Sequence, residues 1–377
     1  MQWKLIESSE ALRLLIEQES SCDVVIVDTE FMRRNTFFPE VALVQLCFVT
    51  GDSVSDMAWL IDPLEIDNSE PLATLLTNPD VLKVLHSASE DLEVFQRWLG
   101  VLPQPLFDTQ RAAALLDRGF GLGYRALVQD ICAVDLPKGE TRSDWLQRPL
   151  TESQCDYAGL DVTWLLLVWR ELNEQCVRQE KLHWVLADGS DAISVLGTEV
   201  YKLHTRIKTA WKLNSRQLGA LIAVCQWREE TARIRNKPRS WIIDDQACLK
   251  LAMQDPRTAN ALRDDIGLPS PVVRRHGEEL LDLLAAQREV LDLDLPVKLP
   301  APLDAAQRDQ VKKLKAEVRE IAVTLAVAPE VLVYSKDYEL LLREAQGDIF
   351  TLPPHWLGWR KEAIFVVLRQ SLARLSG

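Results

Sequence analysis

The stretch that most constrains this chain is Val24-Val25-Ile26-Val27-Asp28-Thr29-Glu30, an apolar run of strand length that ends in two carboxylates one residue apart. Side chains in a strand alternate faces, so Asp28 and Glu30 point the same way, about 7 Å apart along the strand. Two hard oxygen ligands then project from one rigid edge. An oxygen-only set suits Mg²⁺ or Mn²⁺ rather than zinc, which makes this edge half of a divalent-metal site. The competing reading is a strand running into an acidic turn, and the pair alone does not decide between them.

The rest of the chain supplies the context. At 377 residues it is too long for one ordinary core, so two or three domains are expected, and 47% hydrophobic content supports folded structure throughout. Its seven cysteines form no Cys-x-x-Cys pair and are odd in number, which argues against a disulfide framework or a zinc site and fits a reducing compartment. The first residues lack a basic segment followed by an apolar one, and no apolar run approaches the roughly 20 residues that span a bilayer. The expectation is a cytoplasmic chain with no membrane partner.

Strand-like runs at 3–6, 24–30, 41–49, 57–62, 81–86 and 106–109 are followed by helical patterns at 109–117, 122–132 and 151–176. The second, third and fourth runs read as a meander. Strands first and interleaved helices later give an α/β domain over residues 1–176. Beyond it strand signals become rare. Residues 177–212 read as a helical connector, 213–292 as a small bundle, 293–304 as a Pro-rich linker (Pro296, Pro300, Pro302) and 305–377 as a second bundle.

Charge divides along the same line. In residues 1–200, 33 acidic against 15 basic side chains give −18; in residues 201–377, 23 against 28 give +5. The basic excess concentrates at 201–240 and includes Lys208, Lys212, Arg216, Arg233, Arg235 and Lys237. A solvated helix face is one reading of it, and a surface for an anionic polymer is the other.

Two further acidic sites bear on the opening pair. In Leu85-His86-Ser87-Ala88-Ser89-Glu90-Asp91-Leu92 a strand-like run passes into a helix, and Asp91 can face the edge that Asp28 and Glu30 define. Acids in a first helical turn also complement the helix dipole, which is a structural reason for Glu90 and Asp91. In Cys155-Asp156-Tyr157-Ala158-Gly159-Leu160-Asp161, Tyr157 and Asp161 are i and i+4 on one helical face, with Asp156 turned away by about 100°.

Asp-x-Glu, an Asp about sixty residues on, and Tyr-x3-Asp about seventy beyond that resemble the DEDD exonuclease superfamily in its tyrosine-containing branch. The segments Val27-Asp-Thr-Glu-Phe-Met-Arg, Leu85-His-Ser-Ala-Ser-Glu-Asp-Leu-Glu-Val-Phe, Leu102-Pro-Gln-Pro-Leu-Phe-Asp-Thr-Gln and Thr141-Arg-Ser-Asp-Trp-Leu-Gln-Arg-Pro-Leu look like bacterial ribonuclease D. Trp211-Lys-Leu-Asn-Ser-Arg-Gln-Leu and the helices after it are similar to the HRDC domain (helicase and ribonuclease D C-terminal). The last helical unit follows that family's layout.

The resemblance implies a ribonuclease H-like exonuclease domain, a mixed sheet flanked by helices, followed by two small all-α HRDC-like bundles. It implies a 3′→5′ exoribonuclease that releases nucleoside 5′-monophosphates from RNA with a free 3′ end, such as tRNA precursors. Asp28, Glu30, Asp91 and Asp161 would hold two divalent ions, Mg²⁺ or Mn²⁺, and Tyr157 would orient the attacking water. Phe31 could stack on the terminal base, and His86, Gln45 and Lys138 could contact ribose or phosphate. Asp108-Thr109 reads as a helix N-cap beneath the site, Trp145 and Arg148 as packing for the Tyr157 helix, and Trp211, Trp227 and Trp241 as helical core. The basic segment would hold the RNA backbone. A monomer is expected. The rival readings are a DNA exonuclease of the same superfamily and a non-catalytic RNA-binding scaffold.

Overall fold

The structure, a computed structural model, describes residues 2–51, 53–54, 57–137, 139–140, 143–196 and 198–376. The strands are β1 (Gln2–Ile6), β2 (Val24–Met32), β3 (Glu40–Thr50), β4 (Ser53–Val54), β5 (Met57–Ile61), β6 (Leu82–Leu85) and β7 (Leu106–Asp108). They form one mixed sheet in the order β1-β5-β3-β2-β6-β7, with β4 pairing β3. The meander read from the sequence is there: β2 pairs β3 and β3 pairs β5, both antiparallel. The outer pairs β1 with β5, β2 with β6 and β6 with β7 are parallel.

The helices of this part are α1 (Ser9–Gln18), α2 (Glu70–Thr77), α3 (Ser89–Trp98), α4 (Thr109–Leu115), α5 (Tyr124–Cys132), α6 (Glu152–Arg178) and α7 (Leu182–Val195). They cover both faces of the sheet, so β2 is apolar at every one of its first four positions. Val25 and Val27 pack with Leu12, Leu72, Leu92 and Phe95 of α1, α2 and α3. Val24 and Ile26 pack on the other face with Val162 and Leu165 of α6. That division decides which helix each residue at the end of β2 will meet.

Two compact units divide the chain: Met1–Met32, Pro39–Leu196 and Leu303–Gly377 in the first, Arg33–Phe38 and Gly197–Pro302 in the second. The first unit therefore includes the last helices, α13 (Ala305–Leu325), α14 (Pro329–Leu332), α15 (Ser335–Ala345) and α16 (Val366–Ser376), the last preceded by a π turn. The two C-terminal helical segments are not built alike. Leu314, Val318, Val331 and Phe365 of the last segment share one apolar cluster with Ala113, Leu115 and Leu172 of the α/β part. Periodicity in 305–377 announces an apolar face, and what covers that face is the α/β part.

The second unit closes its own core. Its helices are α8 (Ser215–Ile234), α9 (Arg239–Ile242), α10 (Asp245–Gln254), α11 (Ala259–Asp264) and α12 (Ser270–Arg288). An Asn214–Gln217 capping box starts α8. Leu218, Leu221, Val224, Leu251, Leu280 and Leu284 fill the interior. The connector, read as helical from its spacing, is helical in separate pieces. After α7 the chain turns extended at Leu196, and short 3₁₀ segments at Thr198–Arg206 and Ala210–Lys212 follow. They bury Leu203, Ile207, Ala210 and Leu213 in the core of the second unit.

Candidate active site

Asp28 and Glu30 continue the face of β2 that carries Val24 and Ile26, and so they meet α6. A capping box between Thr151 and Gln154 fixes where α6 begins, and Asp161 follows after about two and a half turns. Carboxylate oxygens of Asp28, Glu30 and Asp161 lie within 4.8 Å of one another. Tyr157, one turn earlier on the same helical face, stands beside Asp161 and its hydroxyl acts on that carboxyl group. The donor set is three carboxylates with no sulfur or imidazole, which fits a hard divalent cation.

Asp91 arrives from the other face. It sits in the first turn of α3, is buried, and accepts the Thr29 hydroxyl at 2.5 Å. The three-carboxylate group does not include it, although Asp28 is its strongest charged neighbour. The turn leading into α3 is held by Asp108, whose carboxylate accepts Ser87 N–H and Ala88 N–H at 3.0 Å each and caps α4 through Gln110 N–H at 2.8 Å. The structural role expected for Asp108 is thus visible, and it extends to the turn ahead of Asp91.

Burial dominates the electrostatics. Asp28 and Glu30 retain some exposed surface, yet burial among protein atoms, with the charge of Asp161 behind it, holds Asp28 well above the usual carboxylate range. Glu30 is pushed up to about 10 by burial and then by Asp28, Asp161 and Asp91. Asp161 is raised to about 7 by burial, against the opposing influence of the Tyr157 hydroxyl. Asp91 lies well above its ordinary value through burial and Asp28. Such a cluster holds protons until a cation takes their place. Burial and Asp161 also raise the Tyr157 hydroxyl, so it stays protonated and acts as a donor rather than a base.

Phe31 follows an irregularity in the β2–β3 register and is partly exposed. His86 contacts Thr109 through Nδ1 at 3.0 Å and lies 5.6 Å from the Tyr124 ring, with burial lowering its pKa, so the ring is neutral. Gln45 is fully buried, which leaves it no surface to offer a polynucleotide; its position on β3 faces the interior opposite Asp28. Lys138 lies outside the described residues. Arg148 packs as expected, bonding Asp62 Oδ1 at 2.7 Å and the carbonyls of Trp145 and Ala42, and Trp145 lies 6.1 Å from the Tyr157 ring.

In the second unit several basic side chains serve the fold. Arg216 bonds the carbonyls of Gln287, Arg288 and Val290 at the end of α12. Arg233 pairs with buried Glu229 at 2.9 Å and stacks over Phe37 at 4.9 Å. Arg235 reaches His276 at 3.3 Å. Lys212 and Lys237 lie over Trp211 and Trp241, and Lys208 is exposed. Trp227 is buried as expected, whereas Trp241 is 57% exposed.

Three contributors escape a reading of the sequence. The Tyr124 hydroxyl donates to the Asp161 backbone carbonyl at 2.5 Å and anchors that turn of α6. Thr29 was hidden by its place between two acids. Gly139 lies so near Tyr157 that a Cβ there would stand 2.8 Å from Cδ2 of the ring. Of the three, only the contact at Gly139 has a hint in the sequence, the glycine itself.

A family profile described as a 3′-5′ exonuclease matches residues 3–176, and one for the HRDC domain matches residues 217–284. Ribonuclease D of Pseudomonas paraeruginosa is 40% identical over 92% of this chain and 91% of its own length. Ribonuclease D of Escherichia coli is 33% identical over 99% of both chains. The crystal structure of Escherichia coli RNase D, described as an exoribonuclease involved in structured RNA processing, superposes with a TM-score of 0.89 at 31% identity over 99% of each chain.

Proposed function

This chain belongs to the ribonuclease D family and is a 3′→5′ exoribonuclease; from that premise we propose that it trims the 3′ ends of structured RNAs, tRNA precursors among them, by two-metal hydrolysis at the Asp28 site. Divalent metal use goes with the family, and the acidic cluster supplies the donors. The observation that carries the reading is the convergence of Asp28, Glu30 and Asp161 oxygens within 4.8 Å, with Tyr157 one helical turn from Asp161 beside them.

When bound, two Mg²⁺ or Mn²⁺ ions acidify a water and offset charge on the leaving 3′-oxygen. Asp28 would serve both ions, Glu30 and Asp161 the one that acidifies the water, and Asp91 the one that offsets charge on the leaving oxygen. Tyr157, kept protonated, directs its hydroxyl to the attacking water while Asp161 fixes its orientation. Phe31 offers a stacking surface to the terminal base and His86, as a neutral ring, a hydrogen bond to ribose. Lys208, Lys212, Arg235 and Lys237 offer phosphate contacts without sequence preference. The proposal includes a monomeric enzyme acting in the cytoplasm. The cysteines are free thiols, and no described helix is long and apolar enough to cross a membrane.

The test is Mg²⁺- or Mn²⁺-dependent shortening of a 3′-labelled RNA. Asp28→Ala should abolish it while leaving the circular-dichroism spectrum unchanged; activity retained in that variant rejects the site. RNA and DNA oligonucleotides of one sequence, compared side by side, measure the selectivity, and equal rates on both would reject the RNA assignment.

A further inference from the structure

Gln45 is fully buried, and among the described residues neither its amide nitrogen nor its amide oxygen has a hydrogen-bond partner. Leaving such a group unmade costs about 1–3 kcal/mol, so an amide persists at a core position for a reason other than packing. Its neighbours give no structural reason. Along β3, Leu43 and Cys47 share its face and are apolar, and on β5 its register partner is Leu60. Cys155 and Ala158 of α6 cover that patch. A side chain of leucine or methionine shape would fill the position without an orphaned polar group.

Two neighbours on that face are acidic. The antiparallel register sets Gln45 directly opposite Asp28, with Ile26 and Glu30 as its diagonal partners. Opposed residues on one face have Cβ atoms about 4.5–5.5 Å apart, well within the reach of a glutamine. Asp28 in turn shares its oxygen cluster with Glu30 and Asp161. A carboxylate that binds an ion through one lone pair keeps others that need donors, and groups of this kind fix the orientation of metal ligands.

We propose that Gln45 is a positioning residue for Asp28: its amide N–H donates to the Asp28 carboxylate when that group carries an ion, and so sets the orientation in which Asp28 meets it. The proposal rests on the assignment of Asp28 as a ligand. It replaces the substrate contact expected for Gln45, and it explains why an amide stands at a fully buried position on the face that bears the site.

The experiment compares full-length wild type, Gln45→Met, Gln45→Leu and Asp28→Ala. Binding of Mn²⁺ is followed by electron paramagnetic resonance of the free ion, unfolding in urea with EDTA present, and kcat and KM on a 3′-labelled RNA. Both Gln45 variants should bind Mn²⁺ about 10–100-fold more weakly, unfold at the same or higher urea concentration than wild type, and lose kcat with KM unchanged. Wild-type Mn²⁺ affinity in both variants, with binding lost in Asp28→Ala, overturns the role of Gln45 alone. Wild-type affinity in Asp28→Ala overturns it together with the metal site. Loss of urea stability in both Gln45 variants would make the amide structural and would also overturn it.

Discussion

The Thr29 hydroxyl donates to the Asp91 carboxylate at 2.5 Å, from the side of β2 opposite the one that presents Asp28 and Glu30. Three consecutive residues of one strand thus organise both halves of the acidic site. Asp28 and Glu30 meet Asp161 on α6, and Thr29 holds the acid delivered by α3. Asp91, the third acid of the site in chain order, is placed by a hydroxyl whose direction is set by strand alternation.

Thr29→Val keeps the shape and β-branching of a buried residue and removes the donor. The variant should fold and lose about 10–100-fold in kcat, as supporting partners of metal ligands do. Thr29→Ser, which keeps the hydroxyl, should recover most of the rate. Equal rates for the Val and Ser variants would show that Asp91 is positioned without this bond.

The crowded acids make a prediction about stability against pH. Carboxyl groups raised in the folded state, Asp161 to about 7 and Glu30 to about 10, bind protons there that the unfolded chain has released. Between the unfolded carboxylate pKa of about 4 and those raised values the folded state holds more protons, so stability falls as pH rises through that window. In EDTA, Tm should decline from about pH 5 to about pH 8. Added Mn²⁺ should restore it, and Asp161→Asn should flatten the decline while ending activity. A Tm in EDTA that rises over this range would contradict the assignment.

Gly139 and Tyr157 yield a coupled test. A Cβ at 139 would stand 2.8 Å from the Tyr157 ring, so Gly139→Ala must displace either the ring or the segment beside it. If orientation of the Tyr157 hydroxyl is the contribution to the rate, Tyr157→Phe should lower kcat by about 10²-fold and Gly139→Ala by a comparable factor. The double variant should then be no slower than Tyr157→Phe alone, because neighbours acting through one group are not additive. Multiplied losses would place Gly139 in some other role.

The sequence exposes the parts of the site that obey a period. Asp28 and Glu30 follow from alternation in a strand, and Tyr157 with Asp161 from the helical repeat after a strong cap at Thr151. Thr29 stayed hidden because alternation turns it away from its two neighbours, and only the tertiary position of α3 gives its hydroxyl a partner. Tyr124 acts on a backbone carbonyl of α6 across an intervening loop, a contact with no periodic signature. Counting charge located the basic stretch but did not separate Arg216, engaged with carbonyls that end α12, from exposed Lys208. The apolar face of 305–377 was equally legible, while its partner surface on the α/β part depends on long-range packing.

That shared packing gives the last prediction. Asp188 of α7, almost wholly buried, accepts from Arg360 at 2.6 and 2.7 Å and from Arg111 at 2.7 Å, and the two arginines hold its carboxyl below the usual range. Lys181, also buried, donates to the carbonyls of Leu115 and Ala326. Both contacts tie the C-terminal helices to α4 and to the turn between α6 and α7. Removing one member of a buried charge group leaves the others uncompensated, so Asp188→Ala should cost about 3–5 kcal/mol in urea unfolding. Arg360→Met should cost less, since Arg111 still accompanies Asp188 and an apolar chain refills the space. Deleting residues 303–377 should leave a protein that does not fold cooperatively, because Ala113, Leu115 and Leu172 lose the side chains that cover them. A deletion variant that unfolds at the wild-type urea midpoint would show instead that the α/β part is complete without its last helices.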